Sequence, residues 1–169
     1  MDVNVKYPKI PHLLESSEIL KNSVIVYEKI DGGNVQIQNI NGRIFCGNSS
    51  KFLLREEQYS LSWFNNFKKS VLSNYTFLNL PKNLVLFGEW TSKHTLDYFD
   101  KLTNSMFFID LFDLDTNKFI NYETAKKKLT ELGINGVIYL PKLLDGIVVI
   151  GDLEKIVEKS NFRDGIMEG

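Results

Sequence analysis

The residues most able to do chemistry lie in VIVYEKIDGGNVQIQ, residues 24–38, where Lys29 is separated by one residue from an Asp-Gly pair, Asp31 and Gly32. A lysine is uncommon at the end of a half-buried strand, because a buried ammonium is costly unless paired or neutralised. A free lysine amine titrates near about 10.4, so at neutral pH it is protonated and not nucleophilic. Desolvation among strand neighbours, or a nearby metal cation, lowers that value and frees the lone pair. Gly32 and Gly33 let the backbone approach a ligand closely. Asp31 can hold a metal through water or orient the lysine. The bland alternative is a surface lysine in a hairpin turn.

Three further segments carry candidate groups. In LFGEWTSKHTLDY, residues 86–98, Glu89 follows a glycine at the end of an apolar strand. A carboxylate there can accept from a ribose hydroxyl or help hold a metal, or simply face solvent. His94 reads first as a loop hydrogen-bonding residue and second as a phosphate contact. MFFIDLFDLD, residues 106–115, is a core strand running into a turn made by Asp113 and Asp115. The second reading is the wall of a flat apolar slot for a purine. FRDGIMEG, residues 162–169, sets Asp164 and Glu168 beside glycines, and otherwise reads as a frayed terminus.

The elements that must position these groups are legible from pattern. Alternating runs at 23–27 and 34–40 flank IDGG, and Asn41-Gly42 signals a hairpin returning through RIFCG. Together they predict an antiparallel meander with Lys29 at its first turn. Apolar residues at helical spacing predict a helix over 53–72, a second over 123–132 ended by Gly133, and a third from Asp152 through Glu158. LVLFGEW, MFFIDLFDL, FINY and IVVI (147–150) read as strands or strand ends. Locally paired strands interrupted by helices give an α+β class, with antiparallel sheets and flanking helices.

Whole-chain properties bound the function. The 169 residues suit one domain, 43% apolar and 24% charged, and able to build a core. A net charge of -1 gives no global basic field, though a local basic groove is compatible with it. The lysine runs 68–69 and 126–128 read as solvated helix faces. The single cysteine, Cys46, excludes an internal disulfide. With no signal-peptide pattern at the N-terminus and no run of about 20 apolar residues, the chain reads as cytoplasmic and not membrane-bound.

Taken in order, YPKIPHL, EKIDGGNVQI, FGEWTSKHTLDY, MFFIDLFDL and MEG resemble the ATP-dependent RNA ligases, the phage-type branch of the covalent nucleotidyltransferases. The likeness runs from Tyr7 to Gly169. It implies an adenylation domain of nucleotidyltransferase, ATP-grasp-like architecture over 1–169. It implies ATP and Mg²⁺ (or Mn²⁺) as cofactors and RNA ends, a 5'-phosphate and a 3'-hydroxyl, as partners. Lys29 would bond covalently to AMP and Glu89 would take the ribose. Glu28 and Ile30 would flank the adenine beside Gly32, Phe107 and Ile109 on the stacking strand. Glu168, preferred to Asp164, would serve the metal or the lysine together with Asp31.

Three departures accompany the likeness. The family's arginine after the first hairpin falls at Ser49 or Ser50, with Lys51 as a stand-in lacking the planar fork. Ile109 stands where an aromatic is usual. The family's later strand with two phosphate-binding lysines has no counterpart, since Lys155 and Lys159 do not match it. The domain is therefore expected to be incomplete at its C-terminus and slow or inactive in self-adenylylation. The other readings are a non-catalytic nucleotide or RNA-end binding module, and a DNA ligase or capping-type enzyme.

Overall fold

The computed structural model describes residues 5–15, 17–48, 52–53, 62–92, 96–99 and 102–168. Six antiparallel strands form the main sheet, in the order β4-β3-β2-β5-β6-β7. They are β2 (Gly33–Ile40), β3 (Arg43–Asn48), β4 (Phe52–Leu53), β5 (Leu84–Trp90), β6 (Met106–Asp113) and β7 (Lys118–Ile120). A separate two-stranded sheet pairs β1 (Val24–Tyr27) with β8 (Lys142–Gly146). The helices are α1 (Ser62–Ser73), α2 (Tyr122–Glu131) and α3 (Ile150–Ile156). The α+β class and the antiparallel sheets are as the pattern predicts.

The β2–β3 hairpin turns at Asn41 and Gly42, with φ of 53° and 77°. Two successive positive φ values match the twist of paired strands, and Asn-Gly tolerates them best. Val35 and Ile37 on β2, Leu84 and Leu86 on β5, and Phe108 and Leu111 on β6 line one face of the sheet. Phe64, Phe67 and Val71 of α1 pack on that face at helical spacing, as do Ala125 and Leu129 of α2. Each fully buried Phe or Leu there contributes about 1.5–3 kcal/mol. Val5 and Tyr7 cover part of the opposite face, over Val85, Phe87 and Phe112.

Several sequence expectations are corrected. Strand β1 does not pair with β2, so Lys29 is not in a hairpin turn. Both edges of β2 are already taken, by β3 and β5, and β1 finds its partner in β8 about a hundred residues later. Residues 28–32 are instead the crossing between the two sheets. Of the run 147–150, Ile150 begins α3, while the strand is Lys142–Gly146, ended by Gly146 at φ 121°. The α1 helix is described only from Ser62, and residues 54–61 of the predicted span lie outside the described residues. The third helix starts two residues early, with Asp152 accepting from the Val149 N–H at 3.3 Å from inside its first turn.

Gly88 lies where β5 and β6 slip register, between Phe87↔Asp110 and Gly88↔Phe108. A Cβ on Gly88 would meet the Phe107 carbonyl oxygen at 2.6 Å and the Met106 Cε at 2.5 Å. A Cβ on Gly151, in α3, would meet nothing within 4 Å. Gly88→Ala is expected to destabilise by about 1–3 kcal/mol in urea unfolding. Gly151→Ala should stabilise by roughly 0.5–1 kcal/mol. Equal shifts in the two variants would contradict this packing.

Candidate functional site

The crossing at 28–32 keeps a strand-like alternation. Glu28 and Ile30 are buried, while the Lys29 side chain is 61% exposed. The expectation of a half-buried lysine, desolvated by strand neighbours, is therefore corrected. Its ammonium forms an ion pair and hydrogen bond with Glu168 Oε1, 139 residues away. Of the two candidate carboxylates in the last segment, Glu168 makes this pair. Asp164 is exposed, and its carbonyl accepts from Arg163 Nε.

The last segment is not frayed. Ser160 N–H donates to the Gly165 carbonyl and Met167 N–H to the Val157 carbonyl, both at 2.9 Å, and Met167 is buried. Glu28 ties this fold-back to the lysine segment. Its carboxylate accepts from Ser160 Oγ, from the Asn161 N–H at 2.9 Å and from Asn161 Nδ2 at 3.2 Å. That occupies the carboxylate with protein donors.

On the other side of Lys29, Asp31 is held by a reciprocal pair of bonds. Its N–H donates to the Tyr98 hydroxyl at 2.6 Å, and its Oδ2 accepts from the Leu96 N–H at 2.8 Å. Tyr98 is buried, and burial is the main cause that pushes its hydroxyl up to about 12. The tail of the glutamate segment thus brackets the lysine segment. Gly32 completes the junction, since a Cβ there would meet the Trp90 carbonyl oxygen at 2.6 Å and the Glu89 Cγ at 2.9 Å. The glycine serves close approach of two protein backbones. A Cβ on Gly33 would meet the Trp63 ring at 2.6 Å.

Glu89 is half-buried near the end of β5, opposite Asn34 on β2 and Phe107 on β6. Burial first, then the charges of Glu168 and Asp31, push its carboxyl up to about 8. Lys29 and the Gly32 N–H work against that rise. Lysine and both glutamates therefore share one electrostatic neighbourhood. Asn34, next to Glu89, has a buried Oδ1 with no hydrogen-bond partner. Tyr7 opens YPKIPHL, and its type and spacing do not mark it as a site residue. Its hydroxyl donates to Asp110 Oδ2, and Glu89 is among the charges that raise it, after burial and Asp110.

The remaining expected residues are less direct. Ile30 and Phe107 are buried together with Tyr98 and Leu140, and Phe107 meets Phe162 edge-on at 4.9 Å. They form a covered cluster, not an open wall. Ile109 is half-buried and is the extra residue at the β5–β6 slip. Lys51 and His94 lie outside the described residues. Among the described residues, no group of three or more His, Cys, Asp or Glu is arranged to hold a metal. No helix among them is long and apolar enough to cross a membrane.

Two antiparallel sheets, with Lys29 at the crossing between them and Glu89 and Glu168 brought near it, match the nucleotidyltransferase fold of solved RNA ligases. The RNA ligase family profile matches residues 22–169, and the chain belongs to that family. Solved structures of an RNA ligase from Naegleria gruberi share the fold. A variant with ATP and Mn matches at a TM-score of 0.68 and 19% identity, covering 98% of this chain and 51% of that one. An apo variant matches at 0.64 and 20%, covering 93% and 47%. A variant with AMP and Mn matches at 0.58 and 21%, covering 85% and 42%. The chain thus spans about half the length of the solved ligases it matches. Comparison with curated proteins returns no match.

The raised Glu89 carboxyl links to stability. Its folded value, about 8, lies above its ordinary value of 4.5, so the folded protein holds this proton more tightly than the unfolded chain. The contribution is fully present below the ordinary value and is lost as pH rises through about 8. Glu89→Gln is expected to raise the melting temperature by several degrees at about pH 9, and to change it little at about pH 4. Roughly 2–4 °C corresponds to each kcal/mol at this chain length. A thermal melt series across pH checks this, and a pH-independent difference would contradict it.

Proposed function

We propose that this chain is the adenylyltransferase core of an ATP-dependent RNA ligase, with Lys29 as the residue that takes AMP. The observation that carries the reading is the Lys29–Glu168 pair, set at the crossing between the sheets and within the field of Glu89. Lys29 must shed a proton before it attacks, and Glu168 already accepts a hydrogen bond from it. The amine lone pair then forms an N–P bond to the α-phosphate, and the P–O bond to pyrophosphate breaks. The RNA 5'-phosphate next displaces the lysine, forming a phosphoanhydride to AMP. A 3'-hydroxyl finally attacks that 5'-phosphate, and AMP leaves. Positioning and charge neutralisation do most of the work in such transfers.

The donor set fits a divalent cation. Glu168 adds to the rise of Glu89, so two carboxylates compete for one neighbourhood that a cation would relieve. Glu168 is the first candidate to hold Mg²⁺ or Mn²⁺. Asp31 is the second, with one oxygen engaged by Leu96. Such an ion, when bound, neutralises phosphate charge. Magnesium ions characteristically use one or two carboxylates plus substrate phosphates, which is compatible with the lack of a three-residue cluster among the described residues. The solved ligase with ATP and Mn supports both ligands by fold likeness. For the ribose, Glu89 beside Asn34 offers an acceptor pair, and Ile109 is the partly exposed apolar group on the strand expected to cover the base. Lys51 stays the proposed stand-in for the family arginine. RNA ends are the proposed partners, and a cytoplasmic setting the proposed location.

Incubation with α-labelled ATP and Mn²⁺ or Mg²⁺ tests this. A slowly accumulating covalent AMP, mapped to Lys29 by mass spectrometry and absent from Lys29→Ala, is the expected result. Reversible nucleotide binding that survives Lys29→Ala, with no adduct at long times, would replace the enzyme by a non-catalytic binding module. An adduct formed from GTP in preference to ATP would point to capping-type chemistry.

A further inference from the structure

Glu28 immediately precedes Lys29, yet its carboxylate faces the other way and is buried, at 2% exposure. A buried carboxylate is tolerated only when its oxygens are satisfied. Here both are engaged, and among the described residues the donors are Ser160 and Asn161, 132 and 133 residues away in sequence. Ser160 is itself buried, and its Oγ also accepts from the Phe162 N–H at 3.0 Å. Its N–H closes the loop onto Gly165, and the Met167 N–H closes it again onto Val157. Residues 157–167 are thus a self-braced loop with one charge-assisted attachment to the lysine segment. Glu168 follows directly from that loop and meets Lys29, which follows directly from Glu28. The two contacts are adjacent rungs between the same two segments.

We propose that Glu28 is a positioning residue, and that its grip on Ser160 and Asn161 sets the reach of Glu168 to Lys29. It acts through Glu168 and touches no substrate. The role in catalysis rests on the ligase reading above, whereas the role in geometry does not. Charge-assisted bonds are roughly twice as strong as neutral ones, and replacing the carboxylate by an amide removes the charge and sets an NH2 donor against either the Ser160 hydroxyl or the two Asn161 donors. The loop then loses its registration while its internal bonds remain.

Two measurements on Glu28→Gln and Ser160→Ala test this separately. The first is the rate at which an amine-acylating reagent labels Lys29 in nucleotide-free protein, followed by mass spectrometry across pH. Both variants should label Lys29 several-fold faster than wild type, approaching the rate in Glu168→Gln, with other lysines unchanged. The second is the single-turnover adenylylation rate. It should fall roughly 10-fold to 100-fold with the ATP concentration for half-maximal rate nearly unchanged. Glu28→Asp should recover part of both effects. Unchanged Lys29 labelling in the variants overturns the proposal. So does weaker ATP binding with an unchanged rate, which would mean that Glu28 reads the base. If Glu28→Gln does not fold, Ser160→Ala decides alone, because it removes one donor and leaves the charge. If wild type forms no adduct, the labelling comparison still decides the geometry.

Discussion

One constraint organises this molecule: a primary amine must be held at the crossing between two sheets, facing acidic groups carried by distant parts of the chain. Lys29 is on no strand. Its position follows from what its neighbours do, with Glu28 and Ile30 turned inward and Asp31 locked to Tyr98 and Leu96. The side chain is left exposed and, among the described residues, is directed by one partner, Glu168. An exposed ion pair alone contributes little to stability. Its importance here is geometric, and the buried groups on either side supply the stability.

The electrostatics follow from that placement. Three carboxylates and one ammonium lie close together, and the least solvated carboxylate, on Glu89, carries most of the consequence. Burial favours its neutral form, and the other acids push the same way. A site in this condition is short of positive charge. On that shortage rests the proposed binding of a nucleotide together with its cation. The same reasoning separates Glu89 and Glu168 from Asp110, whose raised carboxyl is capped by the Tyr7 hydroxyl and helps fasten the N-terminal segment to the sheet.

Much of this was legible in the sequence, and the failures have physical causes. Asn41-Gly42, LVLFGEW and MFFIDLFDL declare themselves, because turn chemistry and continuous apolar runs are local signals. The partner of β1 is not local. Alternation on both sides of IDGG reads as a hairpin, and only the competition of β3 and β5 for the edges of β2 excludes it. The run 147–150 is as apolar as a strand, yet it leaves Ile147, Val149 and Ile150 exposed, which composition does not reveal. At the site, Lys29 stands out as a lysine at a strand end, and Glu89 and Glu168 as carboxylates beside glycines. Glu28 shows no such mark, because its partners Ser160 and Asn161 are ordinary residues in a loop. Gly32 is expected to let the backbone approach a ligand, and what lies against it is the backbone of Trp90 and the stem of Glu89.

The span between the two halves of the site has a bearing on how it comes into being. Strand β1 waits for β8, and the lysine segment waits for residues 160–168, so closure follows nearly the whole length of the described chain. Contacts of such long separation form late in folding, and synthesis delivers the N-terminal part first. A nascent polypeptide still emerging from the ribosome would display the amine of Lys29 long before its acidic counterpart exists. The Lys29–Glu168 contact would therefore form abruptly, once residues 160–168 are available, and not grow in step with elongation.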